Sequence, residues 1–349
     1  MTPSLAAITG IGTVSPYGPL AGLIPTRVLE PEAITAWPSA GLRRAFVVKP
    51  FRPASVVPGL KTRRLDRLAA WALVASSLAI QDSGIDLSQV DRSRVAVVFG
   101  TGFGCAELTE AFVQSALANG WAGTDPSPFP EGLANAPASH VALWHRLRGP
   151  NITLGSKGFA GETALIQAAS LLRHGQADLA IVLAGDTLTR TVYEWYETSN
   201  LLSEACYNAE PLPEGGGFVP GEGVAAVVLE PAGRREVRAY ARFSSGCWAA
   251  AAKPVETIRQ MLGDSVPSLI ICSGNGAPCA TSSATAMARE VGGPSATIVP
   301  AQAVAAGIPD SSALLHLVLG LSSVTHRGAA LLLGTSGDTG FAAIPLEIP

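Results

Sequence analysis

Short runs of β-branched and aliphatic residues recur along the chain, most of them closing on glycine: "LAAITGIG", "RVAVVFGTGFG", "ADLAIVLAGD", "GVAAVVLEP", "SLIICSGNG" and "AALLLGTSG". Without polar alternation, runs of this length predict strands buried on both faces, and therefore a sheet flanked by helices on each side. Between them the period changes. Over 65–81 the apolar positions Leu65, Leu68, Ala72, Ala75, Leu78 and Ala79 recur at spacings of three and four, which predicts an amphipathic helix stopped by Gly84. A second helix, "ETALIQAASLLRH" over 162–174, is apolar nearly all round and suits the centre of a protein. The stretch 210–223, "EPLPEGGGFVPGEG", is too rich in Gly and Pro for either element and reads as a long ordered loop between layers. A charged turn at 230–239, "EPAGRREVRA", marks a boundary between strands. On either side of it "VVFGTGFG" at 97–104 rhymes with "IICSGNG" at 270–276, as equivalent positions of a duplicated α/β unit do.

Composition narrows this picture. With 349 residues the chain exceeds what one core usually holds, so two fused half-cores are expected. Hydrophobic residues make up 48% and charged residues 15%, and a mean hydropathy of +0.31 implies apolar surface left over for an oligomer interface. A net charge of −3 and one short basic run, Lys61-Thr62-Arg63-Arg64, argue against nucleic acid. No apolar run reaches the roughly 18–20 residues that cross a bilayer, and "MTPSLAAITGIG" lacks a secretory pattern, so a cytoplasmic location away from membranes is expected. Cys105, Cys206, Cys247, Cys272 and Cys279 show neither CxxC nor His-paired spacing, which points to reduced thiols and to no metal. No cofactor is expected either, because "GFVPGEG" matches neither GxGxxG nor a Walker loop.

The candidate chemistry centres on "TLGSKGFAGETAL", which has the layout of a nucleophile elbow with only Lys157, Gly158 and Phe159 at its apex. Lys157 beside a helix N-terminus would have a lowered pKa, and is either a Schiff-base former or a solvated amine. Neither Cys105 nor Cys272 falls at the start of a predicted helix, so both read as inert buried thiols. His140, His145, His174, His316 and His326 read as structural. After "GTGFG", Thr109, Phe112, Val113 and Ala116 recur on one helical face, suited equally to core packing or to lining a cavity.

At this point a family resemblance is visible. "AITGIGTVSPYG", "RRLDRLAAWALVASSLAIQDSGID", "VAVVFGTGFGCAELTE", "GLANAPASHVALWHRLRGPNITL", "GQADLAIVLAGDTLT" and "GFVPGEGVAAVVLEP" follow the order and spacing of β-ketoacyl synthases over residues 5 to 231. The resemblance implies an α/β, thiolase-like, five-layered αβαβα fold built from two duplicated halves, 1–232 and a shortened 233–349, which dimerises through central strands. Such enzymes hold an acyl chain on a cysteine at the N-terminus of the buried helix, assisted by two histidines, and extend it with a malonyl unit on acyl carrier protein. Carried over position by position, the cysteine falls on Gly158, the first histidine on Ser273 and the second on Gly307. The gating phenylalanine falls on Asp338, and the Arg-Asp before "GF" is Gly215-Gly216.

Every one of these departures removes chemistry while the apolar strands remain. The resemblance therefore implies a chain length factor: a ketosynthase-like subunit without intrinsic catalysis, paired with an active ketosynthase as a heterodimer in a type II polyketide synthase and served by acyl carrier protein. In that role Thr109, Phe112, Val113 and Ala116 line the tunnel that limits chain length. Trimmed second halves resemble those of polyene systems more than aromatic ones. Two alternatives stand beside it: a divergent thiolase-fold acyltransferase or hydrolase acting on thioesters through Ser273, Lys157 or Cys272, and a homodimeric scaffold.

Overall fold

The apolar runs form strands and the period-3.6 segments form helices. The computed structural model describes residues 6–25, 29–35, 37, 42–155, 158–207, 217–250, 253–274, 278–300, 313–323, 325, 327–336 and 340–349. Its strands are β1 (Ala6–Ser15), β2 (Gly18–Ala21), β3 (Glu32–Ala33), β4 (Arg44–Ala45), β5 (Val95–Thr101), β6 (Asn151–Gly155), β7 (Leu179–Asp186), β8 (Gly223–Pro231), β9 (Ala241–Phe243), β10 (Cys247–Ala250), β11 (Leu269–Gly274), β12 (Thr297–Val299), β13 (Gly328–Ser336) and β14 (Gly340–Ile348). The helices are α1 (Pro53–Val56), α2 (Arg67–Ser83), α3 (Ala106–Asn119), α4 (Ala136–His145), α5 (Ala160–Arg173), α6 (Arg190–Thr198), α7 (Pro254–Leu262), α8 (Pro278–Gly292) and α9 (Ala313–Ser323).

Two sets of five strands carry the fold. One runs β1-β8-β7-β5-β6 and the other β9-β14-β13-β11-β12, and they join where β9 pairs with β1. The correspondence is position by position: β5 and β11 both lie second from an edge, parallel to both neighbours. This explains why their sequences rhyme. Side chains alternate between two packed faces, which is why no polar alternation is visible. On β7, Leu179, Ile181 and Leu183 face the side covered by α2, with α4 beside it over β5 and β6, whereas Ala180, Val182 and Ala184 face α5. On β11, Leu269 and Ile271 face inward to α9, whereas Ile270 and Cys272 meet α8. Five layers result: α2 and α4, the first strand set, α5 with α9, the second set, then α7 and α8. This is the thiolase-like αβαβα arrangement expected.

The helix predicted at 65–81 spans Arg67–Ser83. Asp66 caps it by accepting a hydrogen bond from the Leu68 N–H, and Gly84 ends it in the left-handed region at φ 64°. The helix predicted at 162–174 begins two residues earlier, at Ala160, and is buried along most of its length. It comes close enough to β5 that a Cβ added at Gly100 would lie 2.1 Å from the Ala160 carbonyl oxygen. Of the predicted loop, 217–222 are held by isolated bridges from Phe218 to Leu202 and from Gly221 to Phe46, Gly223 opens β8, and 210–216 lie outside the described residues. The expected boundary at 232/233 falls in the turn between β8 and β9. No helix among the described residues is long and apolar enough to cross a membrane.

Candidate functional site

Strand β6 delivers the chain to the apex and α5 carries it away, so Gly158 sits where an elbow nucleophile would. Its φ is +92°, a conformation that side chains with a Cβ adopt only under strain. The space beside it is also taken. A Cβ at 158 would lie 2.5 Å from the Ser336 Oγ and 2.6 Å from the Ser336 Cβ, at the end of β13. Phe159, the N-cap residue of α5, is buried, and its ring lies against Gly340 at the start of β14. The apex is therefore filled from the second strand set.

In the first turn of α5, Glu162 is 2% exposed, and Ser273 near the end of β11 is 3% exposed. The Ser273 hydroxyl donates to Glu162 Oε1 at 2.5 Å. Gly334, the register partner of Ser273 on β13, makes room for the carboxyl: a Cβ there would lie 2.2 Å from Glu162 Oε1. Burial pushes the Glu162 pKa up to about 7, opposed but not outweighed by hydrogen bonds from Ser273 and from its own backbone N–H. Lys157, Gly307 and Asp338 lie outside the described residues, as do Gly215 and Gly216.

Among the described thiols none offers a substitute nucleophile. Cys105, contrary to expectation, does stand at a helix N-terminus, as the N-cap residue of α3. The Gly102–Gly104 turn sets up that start, for the buried Asp186 carboxylate accepts from the Thr101 hydroxyl at 2.5 Å and from the Gly102 and Phe103 N–H groups. Burial nevertheless raises the Cys105 thiol far above its ordinary range, with nearby carboxylates adding to the effect, and pushes Cys272 up to about 12. His140 pairs with Glu131 at 2.6 Å and His174 caps the end of α5, both structural roles.

The predicted lining residues share α3 but not one environment. Thr109 is exposed and its hydroxyl donates to the Cys105 and Gly132 carbonyls, Ala116 is buried, and Val113 faces outward. Phe112 is half-buried in an aromatic group with Phe129 at 5.6 Å and Trp121 at 6.4 Å between ring centroids. Around it Leu117 is 82% exposed, Trp121 76% and Phe129 53%. Trp121 and Phe129 come from separate 3₁₀ turns, Trp121–Gly123 and Phe129–Gly132, so a single helical period could not have found them. No group of three or more metal-ligating side chains occurs among the described residues.

A family model described as "Beta-ketoacyl synthase, N-terminal domain" matches residues 29–234. The 3-oxoacyl-[acyl-carrier-protein] synthase 2 of Coxiella burnetii is 28% identical over 255 residues, covering 68% of this chain and 61% of that protein. Its counterpart from Vibrio cholerae is 26% identical over 66% of this chain and 58% of its own length, so the matched part spans about three fifths of these relatives. Among solved structures, the ishigamide ketosynthase/chain length factor superposes with a TM-score of 0.84 at 18% identity over the full length of both chains. A β-ketoacyl synthase from Burkholderia phymatum gives 0.80 at 17% identity, covering 99% of this chain and 100% of that one. At these identities the superpositions speak for the fold.

Proposed function

This chain belongs to the β-ketoacyl synthase family, and we propose that it is a chain length factor, a subunit that shapes the tunnel of a partner ketosynthase without catalysing condensation itself. The filled apex carries the reading. A glycine at positive φ with Ser336 packed into its side-chain space can neither hold a thioester nor admit one. The fold around it is intact, which is what a subunit kept for its shape requires.

Two surface features support pairing. Strand β6 bonds to β5 on one side and is the outermost strand of its set among the described residues. An edge of this kind adds readily to another chain. Beside it α4 exposes Leu143 and Trp144, and α3 with its following turns exposes Val113, Leu117, Trp121, Phe129 and Leu133. The partner proposed is a cysteine-bearing ketosynthase, supplied by acyl carrier protein in a type II polyketide synthase. In the heterodimer, the Phe112–Phe129 pair forms the floor of the tunnel, with Thr109, Val113 and Ala116 supporting it.

Reconstitution with a ketosynthase and malonyl-loaded carrier protein tests this. Phe112→Ala and Phe129→Ala should each lengthen the product, read by mass spectrometry, while the pair still assembles. Acyl adducts should appear on the partner alone. Unchanged product lengths with normal assembly would remove the aromatic floor. The Ser273–Glu162 hydrogen bond favours one second reading, a thioester-directed acyltransferase or hydrolase with Glu162 as base. An acyl adduct on Ser273 would select it over the first.

A further inference from the structure

We propose that the Glu162–Ser273 pair is a proton-dependent latch, which holds the elbow helix α5 to the second strand set while the carboxyl is protonated and weakens when it ionises. Three observations of geometry carry this. The hydrogen bond joins residues 111 apart in sequence, one on α5 and one on β11, at 2.5 Å. Both side chains are almost wholly buried. Gly334 leaves a recess on β13 that any Cβ would close, so the carboxyl has a seat made by two strands of the second set.

The direction follows from two opposed effects. Ionisation strengthens the hydrogen bond from Ser273, because charge-assisted bonds are the stronger kind. It also places a carboxylate in a site where no cation among the described residues balances it. Desolvation is the larger effect, as the raised pKa of about 7 shows. Among the described residues of the elements that pack around α5 and the carboxyl, the titratable groups are Asp186 at the end of β7, Glu230 on β8, Glu347 on β14, His316 on α9 and Cys272 on β11. None contributes a charge–charge effect to Glu162. The folded pKa lies above the ordinary glutamate value of 4.5, so the stabilisation is complete below pH 4.5 and is lost as pH rises through about 7.

The latch does not depend on the chain length reading, since it is measured on this chain whether purified alone or with a ketosynthase. Hydrogen exchange read by mass spectrometry on peptides from α5 and β11, corrected for the intrinsic rate at each pH, reports local opening. Between pH 5.5 and 8.0 the wild-type opening constant should rise roughly tenfold or more, while peptides from α2 keep a constant protection. Glu162→Gln, which keeps the shape of the protonated acid, should abolish the pH dependence. Ser273→Ala removes the donor that favours the anion and should move the transition to higher pH, which keeps the test decisive if the glutamine variant does not fold. A wild-type profile without pH dependence, a dependence that persists in Glu162→Gln, or an unmoved transition in Ser273→Ala would each overturn the latch.

Discussion

Gly100→Ala is expected to destabilise the chain by about 3 kcal/mol or more and to leave little folded protein. The added methyl would lie 2.1 Å from the Ala160 carbonyl oxygen and 2.5 Å from its carbon, and both belong to backbone. A side chain in the way could rotate, whereas relieving this clash means moving the first turn of α5 away from β5. That turn is pinned on its other side as well, since a Cβ at Gly161 would already lie 2.8 Å from the Ala313 Cβ. Gly155→Ala is the matched control, because nothing among the described residues lies within 4 Å of its added Cβ. Denaturant titration of the two variants should show a large loss for the first and a change within about 0.5 kcal/mol for the second. Equal stabilities would mean that the contact of helix and strand is looser than the structure has it.

Gly158→Cys is expected to leave condensing activity absent and to cost stability besides. Restoring the sulfur supplies the family's nucleophile in name only. The new Cβ meets Ser336 at 2.5–2.6 Å, and the backbone holds a φ of +92°. Each effect costs about 1–3 kcal/mol. Ser336→Gly alone should be mild, and combined with Gly158→Cys it should recover at least part of the steric share, so that the two substitutions are not additive. Thermal unfolding of the two single variants and the double variant measures that coupling, and alkylation rates with acyl transfer from carrier protein measure the chemistry. A Gly158→Cys variant that is stable, rapidly alkylated and able to take up an acyl group would show that the apex is empty, and the chain length reading would lose its main support.

Much of the architecture is legible in the amino-acid sequence. Continuous apolar strands can only be buried on both faces, and β7 and β11 are. The rhyme between 97–104 and 270–276 corresponds to β5 and β11 in matching places of the two strand sets. Helix α2 is legible from its apolar period and from Gly84, which ends it within one turn, whereas the start expected at Leu65 falls two residues later, after the Asp66 cap. The candidate site is legible only in part. The family pattern points to Gly158 and Ser273, but their consequences lie in Ser336, Glu162 and Gly334, which no local pattern marks. The position of Cys105 at a helix start is hidden for a related reason. That start is set by Asp186, a residue 81 positions away that holds the preceding turn.

From the sequence alone, then, follow the class of fold, the existence of α2 and α5 to within two residues at either end, and the family pattern that sets Gly158 in the cysteine's place. Periodicity and capping act over a few residues and survive reading in one dimension. Tertiary structure alone decided that the vacated position is occupied by Ser336 from a strand 178 residues later, that Glu162 and Ser273 meet, and that Phe112, Trp121 and Phe129 gather at the surface. Those outcomes depend on how two strand sets close over a shared helix, and the volume left between distant segments is not a property of any one of them.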